Sequence, residues 1–90
     1  MKPKLEQEIW HLGRLCDELY LTKMTVGYIG KERFICHGQQ FSLTHNRPIA
    51  FADYGVEWFL TKEEALEWLK KNGYEWNIYI RGYTKKGEKK

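Results

Sequence analysis

The stretch from Leu60 to Gly73, Leu-Thr-Lys-Glu-Glu-Ala-Leu-Glu-Trp-Leu-Lys-Lys-Asn-Gly, constrains the fold more than any other part of this chain. Thr61 and Glu64 have capping-box spacing: the hydroxyl accepts from the Glu64 amide, and the carboxylate reaches back to the Thr61 amide. Glu63 and Glu64 stand at the positive end of the helix dipole, Lys70 and Lys71 at the negative end. Ala65, Leu66, Trp68 and Leu69 make an apolar face, and Gly73 falls where a left-handed residue closes a helix. A helix is predicted from Thr61 to Asn72.

Upstream, Leu5, Ile9, Leu12, Cys16 and Leu19 recur at alternating steps of four and three, the spacing of one helical face. Pro3 suits a first helical turn. Gly13 argues mildly against that helix, at about 1 kcal/mol relative to Ala. From Lys23 the period shortens. Met24–Ile29 and Arg33–Cys36 read as strands around a Gly30-Lys31-Glu32 turn, His37–Gln40 as a second turn or bulge, and Phe41–Thr44 as a third strand. His45–Pro48 reads as a loop, because the residue before proline avoids helical dihedrals. Ile49–Phe51 is a candidate short strand, Asp53-Tyr54-Gly55 a turn, and Val56–Leu60 a strand. After the helix, Trp76, Ile78 and Ile80 alternate with Glu75, Asn77, Tyr79, Arg81 and Tyr83, which reads as one last strand.

The expected architecture is α+β: an antiparallel sheet of four to five strands with two helices, in the order α-β-β-β-(β)-α-β. Ninety residues suffice for one domain, assigned to 1–83, with 84–90 a basic C-terminal tail. The formal net charge is +3, yet residues 1–83 carry eleven basic and eleven acidic side chains. The excess belongs to Lys85, Lys86, Lys89 and Lys90 against Glu88. Four Trp, six Tyr and four Phe exclude a disordered linker. No apolar run has the length of a membrane span, and no signal-peptide core follows Met1–Lys4. Two cysteines, each in an apolar run, read as buried thiols in a reducing, cytoplasmic setting.

Catalytic patterns are sparse, and the expectation is a protein that is not an enzyme and uses no cofactor. His11, His37, His45, Cys16 and Cys36 show no metal-ligand spacing. A Cys36–His45 pair across a hairpin would have the residue types of a thiol nucleophile and its base, but Cys36 follows Phe34-Ile35, where packing is the ordinary role. Asp53 suits a turn, and Glu63, Glu64 and Glu67 a solvated helix face.

The aromatic residues exceed what a thin core absorbs. Tyr and Arg are frequent binding anchors, so Tyr79, Arg81 and Tyr83 on the outer face of the last strand, with Tyr54 and Arg47 from loops, form the expected contact surface for a protein partner or a second copy. The alternative is a nucleic-acid surface made of the same strand face, centred on Arg81, with Lys85, Lys86, Lys89 and Lys90.

The run Trp58-Phe59-Leu60-Thr61-Lys62-Glu63-Glu64-Ala65 resembles the strand-to-helix junction of many small bacteriophage and prophage proteins of Gram-positive bacteria. The resemblance covers residues 56–73 and carries no site residues. It implies a non-enzymatic protein acting in the host cytoplasm, in a class where some members inhibit host defence proteins, among them CRISPR effectors. The neutral body departs from the acidic surface of the DNA-mimicking inhibitors, so a contact through aromatic residues is the expected mode.

Overall fold

The computed structural model describes residues 2–40 and 43–85, with side chains described for all of these except 39, 40 and 43–45. The elements are β1 (Glu8–Leu15), β2 (Glu18–Ile29), β3 (Arg33–Gln40), β4 (Leu43–Ala50), a 3-10 turn (Phe51–Asp53), β5 (Trp58–Phe59), α1 (Lys62–Lys71), β6 (Tyr74–Asn77) and β7 (Gly82–Lys85). The class is α+β with a curled antiparallel sheet. Its strands run in the order β4-β3-β2-β1-β5, and the β6–β7 hairpin joins β2 through the Leu19–Tyr83 pair.

Among the described residues there is one α-helix, and the expected first helix is a β-hairpin. Leu15 pairs with Glu18 across the two-residue turn Cys16-Asp17, in which Cys16 has φ 57°. The steps of four and three mark no single face: Ile9 is buried on one side of the sheet and Leu12 and Leu19 on the other, while Leu5, before β1, and Cys16, in the turn, are exposed. Ile9 and His11 face one way, Trp10 and Leu12 the other, and two alternating faces that are both apolar imitate a helical stripe.

Register separates the two faces. Ile9, Met24, Val26, Phe34, Cys36, Ile49 and Trp58 share the inner face and form one core cluster with Phe51. A bulge at Gly27 keeps Val26 and Ile29 both inward by leaving this one extra residue unpaired between the Val26–Cys36 and Tyr28–Ile35 pairs. The chain leaving β4 crosses this face to reach β5. Trp58 Nε1 donates to Ala50 O at 3.1 Å, and the Phe34 ring meets Trp58 edge-on at 5.0 Å and stacks on Phe51 at 5.5 Å. On the opposite face Leu12, Leu19 and Phe59 pack against Ala65 and Leu69 of α1.

α1 has the predicted boundaries. Glu64 N donates to Thr61 Oγ1 at 3.2 Å, and Gly73 takes φ 83°. The carboxylate reaches one residue further back than expected, accepting from Leu60 N at 3.2 Å. Leu66 turns out to solvent, so Ala65 and Leu69 carry the buried face with Trp68 half-covered.

Four other expectations change. His37–Gln40 continues β3, and the proposed His45–Pro48 loop lies within β4. Pro48 is tolerated there because β4 is an edge strand. The Val56–Leu60 strand shrinks to Trp58–Phe59, because Gly55 at φ 87° turns the chain and both Val56 N and Glu57 N donate to Asp53 O. The single last strand is two strands, β6 and β7, around a turn at residues 78–81. Phe41 and Ser42, the expected start of a strand, lie outside the described residues. No helix among the described residues is long and apolar enough to cross a membrane.

Candidate functional site: the exposed turn of the β6–β7 hairpin

The C-terminal hairpin is built by Asn77. Its Oδ1 accepts from Tyr79 N at 2.9 Å, an Asx turn that ends β6, and Arg81 at φ 56° and then Gly82 return the chain into β7. Trp76 meets Tyr83 edge-on at 5.2 Å across the hairpin. Gly82 lies flat against Tyr20: a β-carbon there would stand 2.7 Å from the ring. The hairpin is therefore fixed at its base and carries apolar side chains at its turn. Tyr79 is 94% exposed, Ile78 69% and Trp76 55%. Three large apolar side chains are thus exposed within four consecutive positions, and Trp and Tyr are frequent among binding anchors.

This geometry reorganises the expected surface. Tyr79, Arg81 and Tyr83 do not line one strand face: Tyr79 and Arg81 belong to the turn, and Tyr83 is half-buried on β7 beside the second core cluster. Burial raises the Tyr83 phenol above its ordinary range. Tyr83 supports the hairpin, whereas Ile78 and Trp76, which the alternation placed in the core, are outside. The signal missed was Asn77 followed by Arg81-Gly82, a polar turn residue and a glycine bracketing four positions.

Tyr54 is half-buried and tied into the fold. Its hydroxyl donates to Glu64 Oε1 at 3.0 Å and its ring meets Trp58 edge-on at 4.9 Å; burial and then the Glu64 bond raise its phenol. Arg47 is exposed on β4 and lines a separate cavity with His11. Among the tail residues, Lys85 ends β7 with its ammonium 5.1 Å from the Tyr74 ring centroid. Lys86, Lys89 and Lys90 lie outside the described residues.

The two cysteines part company. Cys36 is buried, its Sγ 3.5 Å from Met24 Sδ and 3.7 Å from Arg47 O, and burial pushes its thiol up to about 11. A thiol at that value stays protonated at neutral pH and is a poor nucleophile. Cys36 pairs with Arg47 and His45 with Gly38, and the His45 side chain is outside the described set. Cys16, expected in the core, is exposed because it occupies the β1–β2 turn. No three His, Cys, Asp or Glu side chains gather into a metal-binding group among the described residues.

No protein-family model matches this chain, no curated protein is detectably similar to it in sequence, and no solved structure matches its fold.

Proposed function

We propose that this domain is a non-catalytic protein-binding module whose anchor is the β6–β7 turn. The observation that carries the reading is the exposure of Ile78 and Tyr79 on a turn closed by the Asn77 side chain and seated by Gly82 against Tyr20. A turn ordered before binding loses little conformational entropy on docking, so its buried apolar area contributes more fully to affinity. Arg81 stands beside these anchors and supplies a charged rim contact. The resemblance of residues 56–73 to small phage proteins supports a bacterial host protein as the partner class, and inhibition of that protein, a defence effector among the candidates, as the outcome of binding.

The test compares the wild-type chain with Ile78→Ser/Tyr79→Ser in capture from a bacterial lysate, with nuclease present. One stoichiometric protein, retained by the wild type and lost by the double variant at unchanged melting temperature, is the expected result. Equal capture by both would overturn the assignment of the turn. Captured nucleic acid that dissociates between about 50 and 200 mM salt would replace this reading with the phosphate-binding alternative centred on Arg81 and the lysine tail. A concentration-dependent dimer abolished by the same substitutions would make the partner a second copy.

A further inference from the structure

A cavity of about 360 Å³ opens at the free edge of β1, on the far side of that strand from the β2 edge that carries the C-terminal hairpin. β5 pairs with Trp10 and His11, and Leu12 N donates to Glu57 O at 2.8 Å, so among the described residues no strand covers the edge of β1 beyond Leu12. Strand alternation turns the Arg14 amide toward the same edge as the Leu12 amide, past the end of β5. Arg14 and Arg47 line the cavity from β1 and β4, and neither guanidinium makes an ion pair or hydrogen bond among the described residues. His11 lines it too, nearly buried. Leu12, Leu19, Val56 and Trp68 supply apolar wall, and Glu57 contributes the opposing charge.

We infer that this cavity binds a small organic oxyanion, a carboxylate or phosphate carried on an apolar body. Arg14 and Arg47 line the cavity from different strands, and guanidiniums beside an outward strand amide are the donor types that such a group takes. The volume lies in the range of small-molecule sites and exceeds what a bare ion fills. Cavity charge favours an anion: two guanidiniums against the Glu57 carboxylate. Burial and then Arg47 lower the His11 imidazole to about 4, so at neutral pH it adds a neutral hydrogen-bonding group and no charge. The inference is independent of the hairpin reading, because the residues of the turn take no part in the cavity.

Phenyl phosphate, benzoate and inorganic phosphate serve as probes of the whole chain, titrated at low salt and followed by amide chemical shifts. Saturable binding of phenyl phosphate or benzoate, with shifts centred on Gly13 and Arg14, is expected, and the tighter of the two identifies phosphate or carboxylate as the preferred group. Arg14→Gln and Arg47→Gln, both at exposed side chains, should each weaken it by about tenfold or more. Glu57→Gln should tighten it, an opposite sign that a general loss of structure would not produce. Absence of saturable binding by both organic probes would overturn the inference, as would affinity indifferent to both arginine substitutions. Inorganic phosphate binding as tightly as phenyl phosphate would overturn the assignment of an organic ligand.

Discussion

The Tyr54 hydroxyl and the Leu60 amide donate to the same oxygen of Glu64, at 3.0 and 3.2 Å. The helix cap is therefore also the clamp that holds the turn after β4 against the start of α1. Removing the carboxylate loses both bonds, while removing the Thr61 hydroxyl loses only its bond from Glu64 N. Thr61→Ala should cost about 1 kcal/mol, the usual value of an N-cap. Glu64→Ala should cost at least as much, and Tyr54→Phe less than either. Urea unfolding of the three variants checks the order; a Glu64→Ala loss smaller than that of Tyr54→Phe would contradict the shared-oxygen account.

Gly82 and Gly13 answer differently to the same substitution. At Gly82 a methyl group would meet the Tyr20 ring at 2.7 Å and, at 2.9 Å, the Leu19 carbonyl oxygen, which cannot rotate aside. At Gly13 the nearest atom would be 3.8 Å away. Gly82→Ala should destabilise by about 1–3 kcal/mol through overpacking, and Gly13→Ala should stay within about 0.5 kcal/mol. Thermal melts of both variants decide it. Equal effects would mean that the hairpin does not lie against Tyr20.

Local rules succeeded where one residue sets the backbone. Thr61, Glu64 and Gly73 act within a single helical turn of the positions they govern, and α1 could be bounded from sequence alone. Gly30 likewise marked the β2–β3 turn. Periodicity failed where burial is two-sided. Ile9, Trp10, His11 and Leu12 are all buried or half-buried because α1 covers one face of β1 and the curled sheet the other, and that pairing is set by residues as distant as Phe34 and Leu69. The exposed hairpin turn is half-legible. Alternation puts Tyr79 and Arg81 outward, as they are, but it also puts Ile78 inward, because the Asx turn at Asn77 depends on one hydrogen bond that strand alternation does not report.

The cysteines should differ sharply in reactivity. Cys16 is exposed in its turn, whereas Cys36 is buried with its thiol pushed up to about 11. Iodoacetamide at pH 8 should add one group to the native chain, at Cys16, and a second only in denaturant. Intact-mass and peptide analysis read the result directly. Rapid native labelling of Cys36 would show that the inner core cluster opens far more readily than its packing implies.

His11 should make the fold sensitive to mild acid. It faces Thr22 on β2 and Trp58 on β5, with Arg47 of β4 acting on it, and shares the cavity with Arg14 and Glu57. Burial first, and then the Arg47 charge, lower its imidazole from 6.5 to about 4. Between those values the unfolded chain takes up a proton that the folded chain refuses, so unfolding becomes easier as pH falls. The contribution is fully present above pH 6.5 and declines toward pH 4, by up to about 3 kcal/mol. Urea midpoints at pH 7.5, 5.5 and 4.5 should fall in that order, and the fall should shrink in His11→Gln if that variant folds. A proton NMR titration of the wild type gives the direct check: the His11 ring signals should hold still down to pH 5.5, and a midpoint near 6.5 would show that the imidazole is open to water and unaffected by Arg47.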